Sequence, residues 1–366
     1  MRIFVALPRS AWVDLNLRRS LEEMGHQLVR FEFPGWPDDA DPVWQRTGKP
    51  RTNERLLAGF RAALAHGPID LFYGYLYSSV VYPETIDLIR RSGVPTVNFS
   101  CNNVHQFGLV EAIAPRFDLC VVPERGAVDS YRAVGAHPVR IQLAANPRYY
   151  RPYPEPRRYD VTFVGQRYAD RADFLLHLYH AGVRVRAWGA GWQASKKPNL
   201  GTLKAGLALI EDEGVYGVRR LLRRSANGQA TAASDAVPTP FGGPRLMHKD
   251  LVRTFSQSQI SLGFATAGDS HRGPKRLTHL RLREFEAPMS GALYLTEQQE
   301  ELAEYFLIGE EVLVYSDRDE LLERVRFYLA HPEQAERVRH AGRRRALRDH
   351  TWQQRFQELF AALRLT

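Results

Sequence analysis

The chain has 366 residues, 44% hydrophobic and 25% charged, which is enough for two medium α/β domains with separate cores. Its two cysteines, Cys101 and Cys120, exclude a disulfide framework and a C-x-x-C zinc site; no stretch approaches the ~18 apolar residues of a spanning helix, and MRIFVALPRSAWVDL breaks too early for a signal peptide, so a cytoplasmic location is expected. A formal charge of +9 favours anionic partners, from a diphosphate to an acidic polymer, a lipid-phosphate surface or nucleic acid, although Arg343-Arg344-Arg345 also reads as a solvated helix face.

In chain order, Arg2 to Leu7 predicts a strand, and Val13, Leu17, Leu21 and Met24 recur at helical spacing before Gly25. The grammar repeats, with strands over Gln27 to Phe33, Ile69 to Leu76, Val94 to Phe99 and Asp118 to Val122, and helices over Asn53 to Ala65, Thr85 to Arg91 and Ala127 to Ala133. Such alternation predicts a parallel sheet wrapped on both faces, with ligands at the carboxyl ends of its strands. One of those ends carries Ser100-Cys101-Asn102-Asn103-Val104-His105. This cluster suits a catalytic edge, or a turn in which Asn102 and Asn103 cap the next helix. Tyr73 and Tyr75 either stack on a ligand ring or pack in the core. Val139 to Leu143 then leads into the proline-rich Tyr149 to Pro156. A first domain is therefore placed at 1–150 and a stiff linker at 151–158.

A second domain, 159–349, opens with a strand over Tyr159 to Val164. Gly165 to Arg171 follows as a strand-to-helix turn whose glycine and arginines suit phosphate oxygens. After the next strand, Trp188-Gly189-Ala190-Gly191-Trp192 lacks the third glycine of a dinucleotide site, and Trp188 either stacks on a base or plugs the core. Residues 195–245 depart from the alternation and are expected to form an insertion with a mobile loop, serving as lid or acceptor platform. Ile260 to Phe264 delivers a loop with His271, Arg272, Lys275 and Arg276, in which Pro274 and the missing Ser or Thr after Lys275 argue against a P-loop. A helix is predicted to start near Thr278 to Leu280, with Leu282, Phe285 and Met289 on one face and Glu286 on another, before Pro288 and the Ser290-Gly291-Ala292 turn. Its amino end would favour a diphosphate and Glu286 could accept two ribose hydroxyls. An ordinary amphipathic helix with a solvated glutamate fits the spacing equally. Asp317-Arg318-Asp319 and Asp39-Ala40-Asp41 spell D-x-D but read as a helix start and a turn, so no metal is assigned.

The run LREFEAPMSGALYLTE, with EELAEYF, GEEVLVYSD, LLERVRFYLAHPE and AGRRRALRDHTW, resembles the C-terminal half of the CgeB-like glycosyltransferases, relatives of the group 1 family with a GT-B fold. The resemblance fades in the N-terminal half. It implies an α/β architecture of two Rossmann-like doubly wound domains facing across a cleft, with 350–366 crossing back to the first through Trp352, Phe356 and Phe360. In the broader family an E-x7-E pair closes the donor site. Glu286 matches the second member, and Thr278 stands where the first is usual, leaving the sugar contact and the retaining chemistry without their customary residue. By the same resemblance Gly165, Arg167 and Arg171 would hold the donor diphosphate; from its position, Arg281 or Arg283 could add a phosphate contact. Trp188 would lie near the base, Ser290, Gly291 and Ala292 beside Glu286, and Glu284 near the sugar. The N-V-H-Q-F segment would set His105 at the transferred sugar, with Asn102, Asn103, Tyr73 and Tyr75 on the acceptor side.

The function this implies is transfer of a sugar from a nucleotide-diphosphate donor to a glycan, protein or small-molecule acceptor. No cofactor or metal is expected, because guanidinium groups and helix polarity would stabilise the leaving diphosphate, and retention is favoured over inversion. Peripheral membrane contact is compatible with this reading. One rival is a nucleotide-sugar epimerase of the same fold, which needs acid and base groups on both faces of the sugar and no acceptor. The other is a non-catalytic binder of anionic ligands or nucleic acid, disfavoured because the aromatics are not interleaved with the basic residues.

Overall fold

The computed structural model describes residues 1–33, 35–193, 239–268, 270–272 and 276–365. Most of the 195–245 stretch, and Lys275, lie outside the described residues. The described chain forms two compact units, 1–142 with 356–365, and 143–193 with 239–355.

In the first unit, β1 (Arg2–Pro8), β2 (Gln27–Phe33), β3 (Leu71–Gly74), β4 (Thr96–Phe99), β5 (Leu119–Val122) and β6 (Pro138–Arg140) make a six-stranded sheet in the order β2-β1-β3-β4-β5-β6. Every pairing is parallel. Ile3 to Leu7 are buried without alternation because helices cover both faces of a central strand. The Lys49–Ala65 helix turns Leu56, Phe60 and Ala63 inward, and Phe60 meets Phe4 edge-on with ring centroids 5.3 Å apart. The Trp352–Ala362 helix completes this core: Phe356 lies edge-on to Tyr73 at 5.6 Å, and Phe360 edge-on to His26 at 5.1 Å. Trp352 itself belongs to the second unit, where its backbone N–H donates to the Ala145 carbonyl at 3.3 Å.

The second unit repeats the plan. Strands β7 (Tyr159–Val164), β8 (Val185–Trp188), β9 (Gly242–Gly243), β10 (Ser258–Leu262), β11 (Tyr294–Glu297) and β12 (Leu313–Tyr315) are all parallel, in the order β12-β11-β10-β7-β8-β9. Both sheets are Rossmann-like. The strand order here reverses at β7 and β10, the place where open α/β sheets bind ligands. One expectation changes. Gly242 and Gly243 pair with Ala187 and Trp188 as the edge strand, so the end of the 195–245 stretch is sheet. The proline-rich segment bonds to the second unit: Tyr153 N–H donates to Ser256 Oγ at 2.9 Å, and Arg253 Nε to Glu155 at 2.7 Å. Among the described residues no helix is long and apolar enough to cross a membrane.

The turns after β7 and β8 are fastened backbone to backbone. Gly165 N–H donates to Trp188 O and Arg167 N–H to Ala190 O, both at 2.9 Å, and the Trp192 indole donates to Gly165 O at 2.8 Å. Gly189 has φ +148°, and a Cβ there would lie 2.0 Å from the Gly165 carbonyl oxygen. The G-x-G spelling therefore serves contact between two turns. Gly189→Ala is expected to cost about 3 kcal/mol in a denaturant melt, as overpacking against backbone does. Gly182→Ala, at φ +84° with open space around it, should cost about 1 kcal/mol for its left-handed backbone alone.

Candidate functional site

The carboxyl ends of β7, β10 and β11 converge with the segment 277–286. The helix in this segment starts at Arg283, later than the spacing predicts, because 277–279 is paired elsewhere. Ala267 N–H donates to Leu277 O at 2.8 Å, His279 N–H to Ala265 O at 3.2 Å, and Thr278 forms an antiparallel bridge with Thr266. The helix that remains, Arg283–Met289, has seven residues, too short for its amino end to act as a diphosphate site on its own. Glu284 bonds back to the Arg281 N–H at 2.8 Å, the glutamate half of a capping box.

The helix is not amphipathic. Glu284 to Met289 are all buried, and Glu284 and Glu286 are each 0% exposed, which removes the solvated-glutamate alternative. Glu286 is ion-paired through Oε2 to Arg283, and its Oε1 has no hydrogen-bond partner among the described residues. The same holds for Glu284 Oε1, and burial pushes the Glu284 carboxyl up to about 7, beyond what the backbone bonds and nearby arginines offset. Each side chain thus has one carboxyl oxygen without a partner among the described residues, a costly arrangement for a buried polar atom.

The arginines build the floor around them. Arg283 Nε donates to the Val164 carbonyl at 3.3 Å, and Arg281 to the carbonyls of Phe264, at 3.0 Å, and Thr266. Arg171, 4% exposed, donates to Gln166 O at 2.9 Å and to the Tyr168 hydroxyl at 2.7 Å, with its guanidinium 3.8 Å over the Tyr168 ring. Burial lowers its pKa to about 10. These three side chains hold the β7 and β10 turns in shape, whereas Arg167 is half-buried and stacks over Trp192 at 5.8 Å.

Trp188 packs edge-on against Tyr159 at 5.3 Å, and a Cβ on Gly243 would meet its ring at 2.4 Å, so the indole serves packing. Ser290, Gly291 and Ala292 end the helix. Gly291 N–H bonds Pro288 O at 2.9 Å and Ala292 N–H bonds Ala287 O at 3.0 Å, with Gly291 at φ +79°, which is a Schellman cap. Their small size reverses the chain into β11. The buried Ser290 hydroxyl has no partner among the described residues. Asp317 accepts the N–H groups of Asp319 and Glu320, both at 2.9 Å, and Asp41 accepts that of Val43 at 2.8 Å, so both D-x-D runs are caps. Among the described residues no group of three His, Cys, Asp or Glu is placed to hold a metal ion.

Two participants carry no sequence signal. Glu297, at the end of β11, accepts from the N–H groups of Ala265 at 2.9 Å and Thr266 at 3.2 Å, and pairs with Arg276 at 2.5 Å. Arg276 also reaches Asp170 at 2.8 Å, which ties the turns after β7, β10 and β11 together. His248 opens the His248–Ser256 helix, lies edge-on to Tyr150 at 4.9 Å, and is held below its ordinary pKa by burial, against the pull of Glu286.

In the first unit, Tyr73 is 1% exposed against Phe356, so it is core and not an acceptor platform. Tyr75 is buried with its hydroxyl 3.2 Å from Cys101 Sγ. Asn103 is buried between Ser100 and Glu124, and Asn102 gives its N–H to Glu124. His105 is exposed on the four-residue helix Asn103–Gln106.

A family model described as "Glycosyl transferase-like" matches residues 217–361, a span that contains Glu286. No curated protein matches the chain in sequence. The fold is similar to sucrose-phosphate synthase from Thermosynechococcus elongatus, 14% identical over 99% of this chain and 100% of that one, with a TM-score of 0.56. It is also similar to Anabaena HepE in complex with UDP and glucose, 11% identical over 100% of both chains, TM-score 0.54. A putative UDP-N-acetylglucosamine 2-epimerase from Listeria monocytogenes is 10% identical over 99% of this chain and 96% of that one, TM-score 0.53. At these identities the likeness is one of fold, the paired Rossmann-like sheets of GT-B proteins.

Because the folded pKa of Glu284 lies above its ordinary value of 4.5, its neutral form gives stability that is fully present below pH 4.5 and is lost as pH rises through 7. Glu284→Gln should therefore gain about 3 kcal/mol relative to the parent between pH 4.5 and pH 8, read from urea melts at the two pH values.

Proposed function

We propose that the chain is a CgeB-like glycosyltransferase that moves a sugar from a nucleotide-diphosphate donor to an acceptor. One observation carries this reading: Glu286 is buried beside the β7 and β10 switch point, with Oε1 unmatched among the described residues. A donor ribose supplies the missing partners, because its vicinal hydroxyls can both donate to one carboxylate while Arg283 fixes the other oxygen. The diphosphate would lie against the turn after β7, where Arg167 meets its charge from the half-buried side. Arg171, Arg281 and Arg283 hold the two turns and set a positive field for the leaving group. In this reading His105 contacts the sugar or takes the acceptor proton, no metal is needed, and retention is favoured over inversion. The matched family model and the UDP-bound state of HepE support a nucleotide-sugar donor. The Listeria neighbour keeps the epimerase as the second reading.

Calorimetric titration with UDP, GDP, CDP and dTDP tests the site directly. One of them should bind, and Glu286→Gln should weaken it by about 10-fold or more, the value of a hydrogen bond to a charged acceptor. Equal affinity in the variant, or no binding by any of the four, sinks the proposal. Incubating the matching nucleotide sugar without acceptor separates the readings, since isomer formation would favour the epimerase.

A further inference from the structure

The turn after β4 is shaped from outside itself. Asn102 sits at φ 68° and ψ 22°, a left-handed conformation that costs a residue with a Cβ about 1–2 kcal/mol. Its N–H points to one oxygen of Glu124, which is 2% exposed and follows β5, the neighbouring strand. The other oxygen lies 3.5 Å from Asn103 Nδ2. A hydrogen bond to a charged acceptor contributes about 1.5–3 kcal/mol, enough to offset the strained backbone. Asn103 is gripped again by Ser100, whose Oγ lies 3.1 Å from Asn103 Nδ2 and 2.7 Å from the Tyr131 hydroxyl.

What the turn presents is His105. The helix that bears it, Asn103–Gln106, has four residues, far short of the ~12 that hold a helix without outside support. The placement of the His105 backbone therefore depends on how Asn102 and Asn103 are anchored, and the buried carboxylate is an anchor they share. We propose that Glu124 is a positioning residue for His105: it fixes the left-handed turn that aims the imidazole from the carboxyl edge of the first sheet. This rests on the glycosyl-transfer reading only for what the aimed imidazole then does.

The experiment uses the full chain with Glu124→Ala, Glu124→Gln, His105→Ala and the Glu124→Ala/His105→Ala double variant. The imidazole of His105, assigned by its disappearance in His105→Ala, is followed by NMR through a pH titration. In Glu124→Ala its ring and backbone shifts should move toward those of an unstructured chain. Glu124→Gln keeps an acceptor oxygen for the Asn102 N–H and should fall between. In parallel, hydrolysis of the nucleotide sugar identified by the diphosphate titration is measured without acceptor. Glu124→Ala should lower kcat by about 100-fold, the lower end of acid–base catalysis, with KM unchanged. The double variant should be no slower than His105→Ala, because both substitutions remove one function. Unmoved His105 resonances in both Glu124 variants overturn the inference, and so do kcat losses that multiply. If His105→Ala hydrolyses at the parent rate, the catalytic reading of His105 fails, while the NMR titration still decides whether Glu124 governs its side chain.

Discussion

Glu286 and Arg283 form the contact on which the second unit's geometry depends. A carboxylate enclosed at the carboxyl edge of a sheet is tolerated only when a cation accompanies it, and Arg283 both pairs with Glu286 and reaches the Val164 carbonyl at the end of β7. The pair thereby links the helix that precedes β11 to the strand on the other side of β10. Arg281 does the same for the residues after β10, and Arg171 for the turn after β7. Burial of guanidinium groups against backbone carbonyls satisfies oxygens that strand ends would leave open, so the charges that favour an anion also keep the site's walls in place.

The two sheets use one further device in common. In each, a carboxylate at the end of one strand captures N–H groups in the turn after the next strand: Glu124 beyond β5 takes that of Asn102 after β4, and Glu297 on β11 takes those of Ala265 and Thr266 after β10. Turns at the carboxyl edge of a parallel sheet carry donors that no neighbouring strand can meet. A buried acid is a rigid way to meet them, and it converts a loop into a fixed surface.

Much of this architecture is legible in the sequence. Strands buried on both faces read as unbroken apolar runs, and helices as apolar residues at helical spacing, so the paired α/β sheets followed from Arg2–Leu7 onward. Glu286 was legible by resemblance, through the residues on either side of it. The arginines were legible as charge, but not as ligands of carbonyl groups, because hydrogen-bond direction leaves no trace in spacing. Thr278 looked helical because its extended pairing with Thr266 is a tertiary contact. Glu124 and Glu297 were missed since an isolated acid at a strand end has no periodic pattern. Gly189 and Gly191 resembled half a nucleotide motif, when their lack of side chains answers to the facing turn.

The burial of Tyr73 and His26 by Phe356 and Phe360 has a consequence for biosynthesis. Tyr73 and His26 are translated before the second unit and Phe356 and Phe360 after it, so the first sheet stays incomplete while the second unit is being made. The nascent chain carries that uncovered aromatic surface until the Trp352–Ala362 helix emerges, an interval in which exposed apolar surface is open to aggregation.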